Sequence, residues 1–476
     1  MSDLRKDQSL YHALEAYSAR DIAPMHMPGH KRRSLFAKDL PWHLDVTEIA
    51  DFDNLHAPEG LLRDAQARGA ALWGSEHAFF LINGSTAGIL AGIYACTQPG
   101  DHILIGRSCH KSVYHAVELL RLRPVYLEPN LVAETELAGS IPPEFVAAAL
   151  NAHPGIRLAV ITSPTYEGIL SDVSAIATLL HGRGIPLLVD EAHGAHLGIS
   201  PHFPPGAVSM GADIVVQSLH KTLPSLTQTA MLHLQGGLVS AERVWHALAV
   251  FQSSSPSYPL LASIDACVAE LLERGDVLLC AWRERLDQFY QSLDLQHLSL
   301  LTQEQDPSRI FAHDPGKLTI LCGGTTQTGT ALMRTLREDF HIELEMALDG
   351  YALAMTGLNS TDADLNRLRE ALQEIDRAVC SAVPRPPLSL PPMPEQGMFA
   401  GEALCAPGLQ MTFSESVGRI AKSYIWVYPP GIPLVTPGVR VTGEIAACLA
   451  ECVARGVELK HTLPMPPGMM EVVDKC

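Results

Sequence analysis

The sequence lacks any C-x-x-C pair among its ten cysteines, so it has neither the spacing of a thioredoxin-like redox motif nor that of a zinc ribbon. Cys448 and Cys452 stand nearest each other, in a C-x-x-x-C spacing with no histidine in ligand register. Scattered thiols of this kind are expected to be reduced, packed and free of metal. No apolar core interrupts the charged stretch Met1–Leu10, so a signal peptide is not expected. Uncharged apolar runs of transmembrane length are absent as well. Positive charge is scarce, with 34 basic against 52 acidic residues and a formal net charge of −18. That balance excludes a nucleic-acid binder or a membrane-surface protein, both of which need a basic face. No tandem repeat is present. A soluble, cytoplasmic protein is the expectation, and a small cationic substrate is compatible with its field.

What is present is an ordinary globular balance, 47% apolar and 18% charged residues in a chain of 476. That length exceeds one core and predicts two or more domains. Short apolar runs, "HAFFLIN" (77–83), "DHILIG" (101–106), "RPVYLE" (123–128), "RLAVITS" (157–163), "IPLLVD" (185–190), "DIVVQS" (213–218) and "AMLHL" (230–234), read as buried strands. Between them, "STAGILAGIYACT" (85–97) and "SVYHAVELLRL" (112–122) carry helical spacing. The alternation predicts an α/β domain with a mostly parallel sheet. The expected division is an N-terminal segment 1–44, a large domain 45–255, a small α+β domain 256–382, a proline-rich connector 383–397 and a C-terminal domain 398–476.

Chemistry concentrates where strands end. In "LINGSTAG" (81–88) a strand runs into Ser85-Thr86 at a helix start, where free N–H groups and two hydroxyls suit an anion. The same pair would also serve as an ordinary N-cap. In "LLVDEAHGAHLG" (187–198), Asp190 follows an apolar strand at the edge where open α/β sheets bind ligands. A carboxylate there can pair with a protonated pyridine nitrogen, or cap a helix, and His193 follows three residues on. In "DIVVQSLHKTLPSLTQTAMLH" (213–233), Lys221 stands among Leu, Thr and Pro with few acids near, and desolvation there would favour the nucleophilic amine. In "GRSCHKSVYHA" (106–116), His110 could lie on a flat ring or simply start a helix.

Together with "HMPGHK" (26–31), "DVTEI" (45–49), "HAPEG" (56–60), "QSSSPSY" (252–258) and "YPPGIPL" (428–434), these segments resemble the Orn/Lys/Arg decarboxylase family over nearly the whole chain. The family consists of fold-type I, aspartate-aminotransferase-like enzymes dependent on pyridoxal phosphate (PLP), and the length resembles its short bacterial members. The resemblance implies that Lys221 carries the cofactor as a Schiff base, that Asp190 pairs with the ring nitrogen and that His110 covers the ring face. It implies a phosphate site of Ser85, Thr86, Ser218 and His220, with Ser253 and Ser254 approaching from the neighbouring subunit of a homodimer. His193 matches a position near the ring oxygen. The implied reaction is decarboxylation of arginine, slightly favoured, or of lysine or ornithine, with Lys221 or His220 returning the proton. An aminotransferase, a lyase or a decarboxylase of an unusual amino acid are the alternatives, because fold type I hosts all of them. Two departures bear on the substrate. Val439 stands where relatives carry a glutamate, and Lys422-Ser423 replaces Ala-Glu. Glu415, Asp51, Asp53 and Glu59 are the remaining candidate partners for a cationic side chain.

Overall fold

A computed structural model describes residues 9–20, 28, 40–128, 130–132, 135, 137–383, 391–394, 396–427 and 432–474. All of "HMPGHK" except Pro28, most of the proline-rich connector and the "YPPG" start of the last motif lie outside the described residues. The leading elements are α1 (Leu10–Ser18), α2 (Leu61–Trp73), β1 (His77–Leu81), α3 (Gly84–Cys96), β2 (His102–Gly106), α4 (Lys111–Leu119) and β3 (Arg123–Leu127). There follow α5 (Pro143–Ala152), β4 (Ile156–Thr162), β5 (Ile169–Leu170), α6 (Val173–His181), β6 (Leu187–Asp190) and β7 (Ile214–Gln217). Next come α7 (Leu219–Thr222), β8 (Ala230–Leu234), α8 (Ala241–Phe251) and α9 (Tyr258–Ser292). All seven expected strands are present, and the architecture is α/β.

The chain divides into two units, and the first comprises 1–95, 186–287 and 356–360. Its strands lie in the order β1-β8-β7-β6. β8 runs antiparallel to both β1 and β7, while β6 and β7 are parallel. The carboxyl ends of β1, β7 and β6 therefore share one edge. Every residue of β6, β7 and β8 is buried, as expected of strands covered on both faces. α3 lies close on this sheet because it presents glycine there. A Cβ at Gly88 would stand 2.6 Å from Leu81 Cδ1 and 2.9 Å from Val216 Cγ1, and one at Gly92 2.6 Å from Leu188 Cδ1. A buried ion pair, Arg68 with Asp265, joins α2 to α9, and Asp265 also accepts the Leu10 N–H at 2.7 Å.

The second unit comprises 96–185, 288–355 and 361–476. In it β2 pairs in parallel with β3 and with β4. A separate antiparallel sheet centres on Lys317–Leu321 and Tyr351–Met355. Towards the C-terminus, helix Gly443–Ala454 packs on an apolar cluster that includes Ile425, Leu434, Val439, Leu449 and Val472.

Candidate active site

The shared edge of the first unit carries the site. β1 leads through Asn83 into α3, β6 ends in Asp190, and β7 leads through Ser218 into the short α7 with Lys221. β1 and β7 both flank β8, so their ends stand two inter-strand spacings apart, roughly 10 Å. Gly84, at φ 74°, makes the turn into α3, a left-handed conformation that costs glycine little. Gln228 (φ 84°) donates its side-chain amide to the Ile82 carbonyl, and the Thr229 carbonyl accepts the Leu219 N–H at 3.2 Å. This pair ties the Ser85-Thr86 turn to the Ser218–Lys221 turn.

The Ser218 hydroxyl is fully buried and has no hydrogen-bond partner among the described residues, and the Thr222 hydroxyl is in the same condition. A buried hydroxyl left unpaired costs about 1–3 kcal/mol, so a ligand oxygen accepting from Ser218 recovers that loss. With the N-terminus of the 13-residue α3 adding free N–H groups and a positive dipole end, the corner fits a phosphate. The residues present fit the cofactor.

Asp190 is 4% exposed and accepts the Ala192 N–H at 3.1 Å. Burial pushes its carboxyl up, against the opposing pull of the Lys221 charge. The Lys221 Nζ lies 2.9 Å from His193 Nε2, and His193 is buried at 4% exposure. His220 instead holds the Thr229 carbonyl through Nδ1 at 2.9 Å, and burial lowers its pKa. Asp190, His193 and Lys221 thus form one electrostatic group, with His220 next to Lys221 on α7. Ser253 and Ser254 are exposed, and the Ser253 N–H binds Asn83 Oδ1 of the same chain at 3.0 Å. His110 belongs to the second unit, where it caps α4 with Nδ1 2.9 Å from Ser112 Oγ.

Two supports had no signal in the sequence. Gln228 reads there as one polar residue in a loop. The segment 356–360 backs the lysine turn from far along the chain: Leu358 N–H donates to the Thr222 carbonyl at 3.0 Å, and a Cβ at Gly357 would stand 3.1 Å from that oxygen. Beneath Asp190 runs a buried polar chain. Glu191 lies 2.7 Å from the Gln217 amide, Gln217 lies 3.0 Å from His233 Nε2, and His233 Nδ1 lies 3.0 Å from Ser75 Oγ. Burial pushes the Glu191 carboxyl up to about 8 and the His233 imidazole down to about 3.

Four residues considered for the substrate end, Val439, Lys422, Asp53 and Glu415, have other occupations. Val439 is 1% exposed inside the apolar cluster of the second unit, so its side chain is core and presents nothing to a ligand. Lys422 is paired with Glu471 at 3.1 Å, which cancels the added charge. Asp53 accepts four backbone N–H groups, from Asn54, Glu59, Gly60 and Leu62, and Glu415 accepts the N–H and hydroxyl of Thr412. Both carboxylates organise their own turns.

The family model for the Orn/Lys/Arg decarboxylase major domain matches residues 8–297. Uncharacterized protein YaaO of Bacillus subtilis (strain 168) is 36% identical over 467 residues, 94% of either chain. The arginine decarboxylase of the same organism is 32% identical over 447 residues, 91% of either chain. Among solved structures, the constitutive lysine decarboxylase of E. coli superposes with a TM-score of 0.80 at 20% identity, covering 98% of this chain and 82% of that one.

Proposed function

We propose that this chain, which belongs to the Orn/Lys/Arg decarboxylase family and is a PLP-dependent amino-acid decarboxylase, acts on arginine and yields agmatine and CO2. The observation that carries the reading is the grouping of half-buried Lys221 with buried Asp190 and His193, beside the unpaired Ser218 hydroxyl. Arginine is preferred because similarity to an arginine decarboxylase extends along 91% of both chains at 32% identity.

When bound, the cofactor supplies the electron sink that accepts the pair left behind by CO2. Lys221 supplies the amine that anchors it. Asp190 holds the proton on the ring nitrogen, an ion pair strengthened by burial. Ser85, Thr86, Ser218 and His220 bind the phosphate. Of the two candidates for returning the proton to Cα, Lys221 is favoured, since its Nζ is grouped with His193 and Asp190, while His220 is assigned to the phosphate. A two-fold homodimer belongs to the same reading, with the exposed side chains of Ser253 and Ser254 facing the partner.

Separate incubation of the PLP-loaded protein with arginine, lysine and ornithine, assaying CO2 and amine, tests the function. Arginine is expected to turn over fastest with one amine formed per CO2. Keto-acid formation without CO2, or faster turnover of lysine, would overturn the reading.

A further inference from the structure

We propose that His193 is a catalytic acid–base partner of Lys221, a role that rests on Lys221 being the cofactor-bearing lysine. A contact of 2.9 Å between Lys221 Nζ and His193 Nε2 is a hydrogen bond between two nitrogens. Two protonated nitrogens cannot make it, because each would present a proton to the other. One of the pair must offer a lone pair, so the contact carries a single transferable proton. The third member of the group, Asp190, is a buried carboxyl that feels the Lys221 charge. With Asp190 ionised, one proton shared between His193 and Lys221 leaves the group neutral, and a second would leave a net positive charge on a group of which Asp190 and His193 are buried.

The alternative acid–base residue, His220, is held by Nδ1 to the Thr229 carbonyl, whereas His193 is in contact with the reacting nitrogen. Attachment of the cofactor shows the bookkeeping. The Nζ–carbon bond forms as the carbon–oxygen bond breaks. Of the three protons on the Lys221 ammonium, two leave with the carbonyl oxygen as water and one passes to His193 Nε2. On release, the same proton returns to Nζ. A histidine suits this exchange because its unperturbed pKa, about 6.5, lies near neutrality, whereas that of lysine is about 10.4.

The test is the rate at which PLP attaches to Lys221 in the cofactor-free full-length chain, followed by absorbance across pH 5.5–9.5 (a range set roughly by those two values). His193→Gln keeps a hydrogen-bonding side chain that does not titrate, so a merely structural role would survive it. The proposal expects Gln to attach PLP at least about 100-fold more slowly near neutrality, the lower end of general acid–base effects. It also expects the neutral inflection of the wild-type pH–rate profile to vanish in the variant. Wild-type rates and an unchanged profile in His193→Gln would overturn it. Should that variant not fold, the wild-type profile decides, since a rate without an inflection near neutrality contradicts a histidine base. Peptide mapping of the reduced adduct separates the two ideas: label away from Lys221 sinks the lysine assignment, while label on Lys221 with unaltered kinetics sinks only the role of His193.

Discussion

Glu191 stands next in sequence to Asp190, the carboxylate proposed for the ring nitrogen, and a second negative charge there would work against it. The hydrogen bonds around it explain how that is avoided. With the Gln217 Nε2 toward Glu191, His233 must donate through Nε2, and the single proton of Ser75 is then asked to serve both His233 Nδ1 at 3.0 Å and the His77 carbonyl at 3.1 Å. With the amide turned over, a protonated Glu191 donates to Gln217, which donates to His233, which donates to Ser75, which donates to His77. Each link then has one donor and one acceptor, Glu191 still accepts the Ala207 N–H at 2.7 Å, and all four linked side chains are neutral. The pKa of about 8, raised chiefly by burial, agrees. The native chain therefore holds a proton that the unfolded chain gives up above its own carboxylate range. The stability due to this proton is complete below about pH 4.5 and falls by up to roughly 1.4 kcal/mol per pH unit until about pH 8. Glu191→Gln, the neutral isostere, should flatten that fall in denaturant titrations from pH 5 to pH 8. A variant that keeps the wild-type slope would show that Glu191 is ionised in the folded chain. Val439 makes the opposite case. Val439→Glu puts a carboxylate into an apolar cluster, and a loss of several kcal/mol is expected. A stable Val439→Glu protein with altered substrate preference would show that this side chain reaches the substrate.

α3 shows how an element places the chemistry. Gly88 allows the helix to sit on Leu81 and Val216, and so fixes where Ser85 and Thr86 stand relative to Ser218. Gly88→Val should cost about 1–3 kcal/mol through overpacking and weaken PLP binding, measured by thermal melting and by cofactor titration. Unchanged PLP affinity in a destabilised variant would separate the corner from the helix packing. The strands and α3 were legible in the sequence because fully buried strands read as short apolar runs bounded by turn residues. Asp190 and Lys221 were legible as candidates because one ends such a run and the other stands three residues beyond another. The work of Gln228, Gly357 and the Glu191–Gln217–His233 chain was not, since those contacts join residues tens to hundreds of positions apart and leave no local period. The substrate end shows the converse. The family resemblance implies a substrate-end place for Val439, yet its exposure depends on how the C-terminal strands pack around it, and no spacing in the sequence encodes that.

For the whole molecule, a cofactor bound only by the folded chain adds stability as RT ln(1 + [L]/Kd), about 2.7 kcal/mol at a hundredfold excess over Kd. PLP should raise the melting temperature of the wild-type chain, and raise it less in Ser218→Ala, where the buried donor is gone. An equal rise in the two proteins would remove Ser218 from the phosphate site. The net charge of −18 keeps the surface unsuited to polyanions, and the proposed site is one sheet edge, where β6 and β7 lead to Asp190 and Lys221. The most direct measurement is borohydride reduction of the PLP-loaded chain followed by peptide mapping. The pyridoxyl group is expected on Lys221 in the peptide containing "SLHKTLPS", with none in Lys221→Ala. A label on any other lysine, or an undiminished label in Lys221→Ala, would contradict the account.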